Sequence, residues 1–207
     1  SQHSQCLYPV FTHIPGLKVV IPSSPYEAKG LMTQAIRDDD PVIFFEHKAM
    51  YDDMEEVPDE PYAIPFGKAK LVHSGSDATI VALGRMVKFS IAAAAMLEAE
   101  QIHCDVIDLR TTSPMDTDAI LRSVRKTGRL VAVDEASPRC NIAADVAALV
   151  AQEAFSSLRA PVRMVAPAHT PVPFAPNLED AYIPDATAIA HAVRHTVAYG
   201  AQAAIAR

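Results

Sequence analysis

One short stretch limits the folds open to this chain more than any other. Asp77-Ala78-Thr79-Ile80-Val81-Ala82-Leu83-Gly84 carries an apolar, β-branched run from Thr79 to Leu83, closed off by Gly75-Ser76-Asp77 before it and by Gly84 after it. So short a run between turn formers reads as a strand covered on both faces, the kind found inside a parallel sheet. The segments after it alternate as helix, strand, helix, strand, helix, strand, helix. Together they predict an α/β fold with a doubly wound, mostly parallel sheet. Thr79–Leu83 is then an interior strand, and function is to be sought around the edges of that domain.

The alternation can be followed in order. Met86–Gln101 is an alanine-rich helix with Val87, Ile91, Ala94 and Ala95 as its expected buried stripe. Cys104–Leu109 reads as a strand and Arg110-Thr111-Thr112-Ser113-Pro114 as a loop. Asp116 caps a helix through Arg125 that Gly128 ends, and Leu130–Asp134 is the next strand. Asn141 caps a helix to Leu158, and Val162–Val165 is a further strand. A stretch with Pro167, Pro171, Pro173 and Pro176 crosses the surface before Asp185 caps the last helix, whose end at Ala201–Arg207 is expected to fray.

Upstream, Leu17–Ile21 and Val42–Phe45 read as strands flanking a helix. That helix starts with Ser24 as N-cap, Pro25 at its first position and Glu27 closing a capping box. Ala28, Leu31, Ala35 and Ile36 share its apolar face, and Asp38-Asp39-Asp40-Pro41 ends it. The unit has too few strands to be stable by itself. Glu46 to Pro65 reads as a linker, and Gly67–Val72 as a candidate edge strand.

Charge narrows the partners. The formal net charge is −7, and Glu46, Asp52, Asp53, Glu55, Glu56, Asp59 and Glu60 against Lys48 account for most of it. The acidic run reads as a solvated connector, with a docking surface for a basic partner as the alternative. With no basic stripe, nucleic acid is not an expected partner. No apolar run reaches the roughly 18 residues of a membrane span, and no signal peptide is read at the start. The 3 cysteines, Cys6, Cys104 and Cys140, form neither a disulfide framework nor a zinc knuckle, so a reducing cytoplasm is the simplest compartment.

Several blocks bear a resemblance that covers nearly the whole chain. They are Gln2-His3-Ser4-Gln5, His13-Ile14-Pro15-Gly16-Leu17-Lys18-Val19-Val20, Asp40-Pro41-Val42-Ile43-Phe44-Phe45-Glu46 and Val106-Ile107-Asp108-Leu109-Arg110-Thr111. Pro171-Val172-Pro173-Phe174 and Tyr182-Ile183-Pro184 follow. In combination they resemble the β subunit of the thiamine-diphosphate-dependent dehydrogenase component of 2-oxo-acid dehydrogenase complexes. Asp134-Glu135-Ala136-Ser137-Pro138-Arg139-Cys140-Asn141 looks most like the acetoin dehydrogenase branch, since pyruvate and branched-chain relatives usually carry a glycine-rich turn there.

The resemblance implies a remnant strand–helix–strand of the pyrimidine-binding domain over 1–46, the acidic proline-containing linker over 47–65, and a transketolase C-terminal-like domain over 66–207. In the family the ylid of thiamine diphosphate adds to a substrate carbonyl, a carbon–carbon bond is cleaved, and an acyl unit passes to lipoyl-lysine of the acyltransferase component. The glutamate that drives ylid formation lies in the N-terminal part of the β subunit, and the diphosphate with its magnesium is held by the α subunit. The chain is therefore expected to be a C-terminal part that gives subunit assembly, carries no cofactor-binding residue of its own and is inactive alone. Its implied partners are an α subunit and a second β subunit in a heterotetramer, and the subunit-binding and lipoyl domains of the acyltransferase. Glu179, Asp180 and Asp185 are candidates for the face that meets the basic subunit-binding domain. A pyruvate or branched-chain dehydrogenase β subunit and a non-catalytic interaction module are the alternatives.

His3, flanked by Gln2, Ser4 and Gln5, matches the family's active-site histidine near the thiazolium end of the cofactor. An imidazole suits that place because it can hydrogen-bond an oxyanion or move a proton near neutral pH. Spacing alone would make it a surface histidine. Ala35, Asp38 and Asp40 fall where relatives bind potassium through backbone carbonyls. The last carbonyls of a helix lack partners, and hard cations prefer such oxygens. The same residues equally describe an ordinary helix end before proline, and the family commonly has asparagine at Asp40. Arg110 is expected to pair with a carboxylate across a domain boundary. His103-Cys104, Cys140 and the His191–His195 pair lack further ligands at metal spacing, and Gly84 stands alone rather than in a phosphate-binding loop.

Overall fold

The run from Thr79 to Leu83 lies where the sequence places it, in the middle of a five-stranded sheet. The computed structural model describes residues 4–205. In chain order the elements are α1 (Tyr8–Thr12), β1 (Lys18–Val20), α2 (Pro25–Arg37), β2 (Val42–Phe44), β3 (Lys70–His73), β4 (Ala78–Ala82), α3 (Arg85–Glu98), β5 (Cys104–Asp108), β6 (Thr111–Ser113), α4 (Thr117–Thr127), β7 (Leu130–Val133), α5 (Ile142–Glu153), β8 (Arg163–Val165), α6 (Pro176–Tyr182) and α7 (Ala186–Ile205). The sheet order is β3-β5-β4-β7-β8. Only the β3–β5 pair is antiparallel; the others run parallel.

Every residue of β4 is buried, and its side chains divide by the alternation a strand imposes. Ile80 and Ala82 join Met86, Leu97, Val106, Val131, Ile189 and Val193 under α3 and α7. Val81 and Leu83 join Ile107, Leu109, Ile120, Val124, Ala132, Ile142 and Val146 under α4 and α5. Each fully buried Leu, Ile or Val contributes about 1.5–3 kcal/mol, so a sheet covered on both faces holds itself by its middle strand.

The N-caps are local and appear as read, but the capping box at Ser24 does not close, because the Glu27 carboxylate turns to Arg110 and Lys70 instead. Ser24, Asp116, Asn141 and Asp185 accept the backbone N–H three residues on, at 3.4, 3.1, 3.0 and 2.7 Å. Gly128 ends α4 in the left-handed conformation at φ +71°. Among the described residues no helix is long and apolar enough to cross a membrane.

Other expectations need correcting. Thr111–Ser113 is a strand, not a loop: β6 runs antiparallel to β1 in a second sheet of order β2-β1-β6. Its partner lies some 90 residues earlier, so the polar Thr-Thr-Ser run gave no local strand signal. Arg110, at φ +60°, makes the sharp corner between β5 and β6, and its carbonyl accepts the Ile21 N–H at 2.8 Å. The buried stripe of α3 is Met86, Val87, Ser90, Ala93, Ala94 and Leu97, while Ile91 and Ala95 face outward. A helix that is apolar nearly all round does not announce which face is inside. On α2, Ile36 is 79% exposed, and the buried residues are Glu27, Gly30 and Leu31. α5 ends at Glu153 and passes into a 3-10 turn at Phe155–Ser157, and the proline-rich stretch forms the short helix α6.

The acidic connector is fastened as well as solvated. The Ile64 N–H bonds the Gly30 carbonyl at 3.0 Å. A Cβ on Gly30 would stand 2.6 Å from the Ile64 side chain and 2.7 Å from Tyr62, so only glycine lets the connector lie this close to α2. Tyr62 stacks on Tyr26 with ring centroids 4.6 Å apart. Glu55 accepts the Tyr26 N–H at 2.9 Å, and Asp53 pairs with Lys88 at 3.0 Å.

Candidate functional site

In open α/β sheets a ligand crevice forms outside the carboxyl ends of the strands, where connections leave in opposite directions. Here that point lies between β4 and β7: the path out of β4 leads through α3 to β5, and the path out of β7 leads through α5 to β8. The N-terminal unit is seated there. Tyr8, Val19 and Ile21 bury in the same core as Val81, Leu83 and Leu109. At Gly84, with φ +52°, a Cβ would come within 3.0 Å of Ile21, so protein fills the place where a nucleotide would otherwise lie.

Two buried carboxylates stand at the strand ends. Asp134, just past β7, is 0% exposed and accepts from Tyr8 Oη and from the backbone N–H groups of Ala136 (2.8 Å), Ile142 (2.8 Å) and Ala143 (3.3 Å). Burial raises its pKa, against these four hydrogen bonds. Burial first, and then the Asp134 charge, push the Tyr8 hydroxyl well above its usual range, so Tyr8 is the donor. Asp108, the last residue of β5, accepts from Ser23 Oγ at 2.5 Å and from the Arg110 N–H at 2.9 Å. Burial raises Asp108 to about 6, with the nearby Glu27 charge acting in the same sense.

Arg110 makes the cross-boundary pairing expected of it. Its Nε lies 2.8 Å from Oε2 of Glu27, and its Nη2 lies 2.8 Å from Oε1. Glu27 is 1% exposed and also holds Lys70 at 3.0 Å, so its side chain serves this cluster while its backbone N–H meets Ser24.

Beside Asp134 opens a cavity of about 310 Å³ lined by Gln5, Cys6, Glu135, Ser137, His169 and Tyr182 among others. His47 Nε2 lies 3.1 Å from both carboxylate oxygens of Glu135, and Ser137 Oγ shares a 2.9 Å hydrogen bond with His169 Nδ1. Burial, helped by the charges of Glu135 and Asp134, pushes the Cys6 thiol up to about 12, so at neutral pH it is a protonated wall group and not a nucleophile. The cavity can exchange hydrogen bonds with a small polar ligand. A wider one of about 540 Å³ lies between Ser23, Met54, Leu71 and Ile91. Neither fits a diphosphate. The first is lined by Glu135 and Glu179 without Lys or Arg among its described residues, and in the second Lys70 and Lys88 are taken by Glu27 and Asp53.

His3 lies outside the described residues; Ser4 and Gln5, which follow it, line the smaller cavity. Ala35, Asp38 and Asp40 sit together at the carboxyl end of α2 and line neither cavity. Lys18 Nζ stands 2.6 Å from Asp38 and 2.9 Å from Asp40, and its hydrogen bond holds Asp38 below the usual carboxylate range. Glu179 lines the smaller cavity, whereas Asp185 caps α7. His195 faces Arg163 at 3.1 Å, and burial pushes Cys104 up to about 12. No group of three or more His, Cys, Asp or Glu among the described residues could hold a metal. Sequence reading missed Tyr8, Asp134, Asp108 and the His47–Glu135 pair. An acid at the carboxyl end of an apolar strand was the available signal for both aspartates.

Comparison with known proteins adds to this geometry. The family model "Transketolase, C-terminal domain" matches residues 67–189, and "Transketolase, pyrimidine binding domain" matches residues 1–53. The chain is 60% identical over 200 residues to the acetoin:2,6-dichlorophenolindophenol oxidoreductase subunit beta of Cupriavidus necator, covering 97% of this chain and 59% of that one. It is 53% identical to the protein of the same name from Bacillus subtilis, covering 89% and 54%. A pyruvate dehydrogenase E1 component subunit beta of Rhizobium meliloti is 44% identical, covering 94% and 42%. The chain thus spans little more than half the length of the first two. Among solved structures, "Split gene transketolase, inactive beta4 tetramer" superposes with a TM-score of 0.79 at 24% identity, covering 92% of this chain and 61% of that one, which shows the shared fold.

Proposed function

The chain belongs to the transketolase C-terminal domain family, and from that premise we propose that it supplies the C-terminal part of the β subunit of a thiamine-diphosphate-dependent dehydrogenase acting on acetoin. The observation that carries the substrate is the ranking of likeness: 60% and 53% identity to two acetoin oxidoreductase β subunits against 44% to a pyruvate dehydrogenase β subunit. The 134–141 turn supports the same branch. The pyruvate reading remains the second one, carried by that 44% likeness.

Thiamine diphosphate supplies the carbon nucleophile in the intact α/β enzyme. Because neither cavity of this chain suits its diphosphate, the cofactor and its magnesium are assigned to the assembled enzyme and no step is routed through them here. His3 is assigned to hydrogen-bond the substrate-derived oxygen and to move a proton near neutral pH, ahead of transfer of the acyl unit to lipoyl-lysine. Its support is the Gln2-His3-Ser4-Gln5 block together with Ser4 and Gln5 in the wall of the smaller cavity.

The Ala35, Asp38 and Asp40 carbonyls are assigned to a potassium ion. Oxygen donors at a helix end suit a hard monovalent cation, and Lys18 offsets the extra charge of Asp40. The chain's partners are the α subunit, a second β subunit, and the acyltransferase's lipoyl and subunit-binding domains, the last meeting Glu179, Asp180 and Asp185. The compartment is the cytoplasm. The test is reconstitution of the full-length subunit with its α partner and comparison of acetoin, pyruvate and branched-chain 2-oxo acids by reduction of 2,6-dichlorophenolindophenol. Acetoin is expected to give the highest kcat/KM; faster turnover of a 2-oxo acid rejects the assignment.

A further inference from the structure

Asp134 holds more than its own loop requires. Three of its donors are local: the Ala136 N–H closes the turn after β7, and the Ile142 and Ala143 N–H groups belong to the first turn of α5. Those three bonds already satisfy a buried carboxylate and anchor the 134–143 turn. The fourth donor, the Tyr8 hydroxyl, arrives from 126 residues away.

What the long-range bond joins is specific. Gln5 and Cys6, just before Tyr8, and Glu135 and Ser137, just after Asp134, all line the smaller cavity. The Tyr8–Asp134 bond therefore ties these two stretches of its lining to each other. The Tyr8 ring is itself held, edge-on to Phe45 at 5.9 Å, and Phe11 braces Phe45 at 5.7 Å. The far end of α1 is tied too, by the 2.6 Å hydrogen bond between Thr12 Oγ1 and Thr112 Oγ1. α1 is thus fixed at both ends, and the Ser4–Cys6 segment runs directly into its anchored start, the kind of support that a group needing accurate placement requires.

We propose that Tyr8 and Asp134 are positioning residues for the reaction, locking the Ser4–Cys6 segment that continues from His3 onto the carboxyl end of β7. The inference rests on the assignment of His3 made above.

The test uses the full-length subunit assembled with its α partner and acetoin-dependent dye reduction. Tyr8→Phe and Asp134→Asn are each expected to lower kcat about tenfold or more with KM for acetoin unchanged, the signature of a misplaced reacting group. On a His3→Ala background, Tyr8→Phe is expected to cause no further loss. Equal slowing on both backgrounds would show that the hydroxyl does not act through His3 and would overturn the proposal. So would a Tyr8→Phe enzyme within twofold of the parent, or one that no longer assembles, since the hydroxyl would then serve the fold alone. A slow His3→Ala enzyme beside a fast Tyr8→Phe enzyme rejects this inference and keeps the His3 assignment; a fast His3→Ala enzyme rejects both.

Discussion

Replacing Asp108 with asparagine should make the fold more stable at neutral pH and remove a pH dependence that the parent chain shows. Asp108 titrates at 3.8 when unperturbed and at about 6 in the folded chain, chiefly because burial disfavours its charge. A raised folded-state value means that the fold binds this proton more tightly than the unfolded chain does. The associated stability is complete below pH 4 and is lost as pH rises through 6. A shift of about two pH units corresponds to about 3 kcal/mol, of which about 2 kcal/mol falls between pH 4.5 and pH 7.

Asparagine is nearly the same size and stays neutral. Its oxygen can still accept the Arg110 N–H, and its amide can donate to Ser23 Oγ, whose hydroxyl then turns to accept. Urea unfolding of both chains at pH 4.5, 5.5 and 7 isolates the effect of the Asp108 site, because the carboxylates remote from it are the same in the pair. Asp108→Asn should gain on the parent by about 2 kcal/mol across that range. Parallel stability curves would refute the idea that Asp108 is charged and strained at neutral pH.

Further outcomes follow from the packing and the thiols. Gly30→Ala in a helix interior would ordinarily stabilise by about 1 kcal/mol. Here the new methyl meets Ile64 at 2.6 Å, so overpacking of roughly 1–3 kcal/mol should win and the melting temperature should fall; a rise would mean that the connector does not lie on α2. Of the three cysteines, Cys140 is exposed while Cys6 and Cys104 are pushed up to about 12. Iodoacetamide at pH 8 should therefore label Cys140 well before the other two, as read by peptide mass, and early labelling of Cys6 would contradict its burial against Glu135 and Asp134.

How much was legible differs between fold and site. The interior position of Thr79–Leu83, the helix–strand alternation after it and the four caps at Ser24, Asp116, Asn141 and Asp185 could be read in advance. Of the site, the pairing of Arg110 with a carboxylate across the boundary was legible. Its carboxylate partner, Glu27, was not, because a glutamate three residues after a serine N-cap is fully explained by local capping. Ile91 and Ala95 were misplaced for a related reason: on an alanine-rich helix, only the seat taken by α7 and the sheet decides which apolar residues are covered.

The sequence by itself determined whatever depends on neighbours within a turn or a strand's length: the helix–strand alternation after β4, where its capped helices begin, and that β4 is covered on both sides. Only the tertiary structure decided that Thr111–Ser113 is a strand, that Tyr8 reaches Asp134, and that the N-terminal unit occupies the crevice at the sheet's reversal point. Capping and periodicity are interactions between residues a few positions apart. A β-bridge or a buried hydrogen bond across 126 positions exists only after the chain has closed on itself.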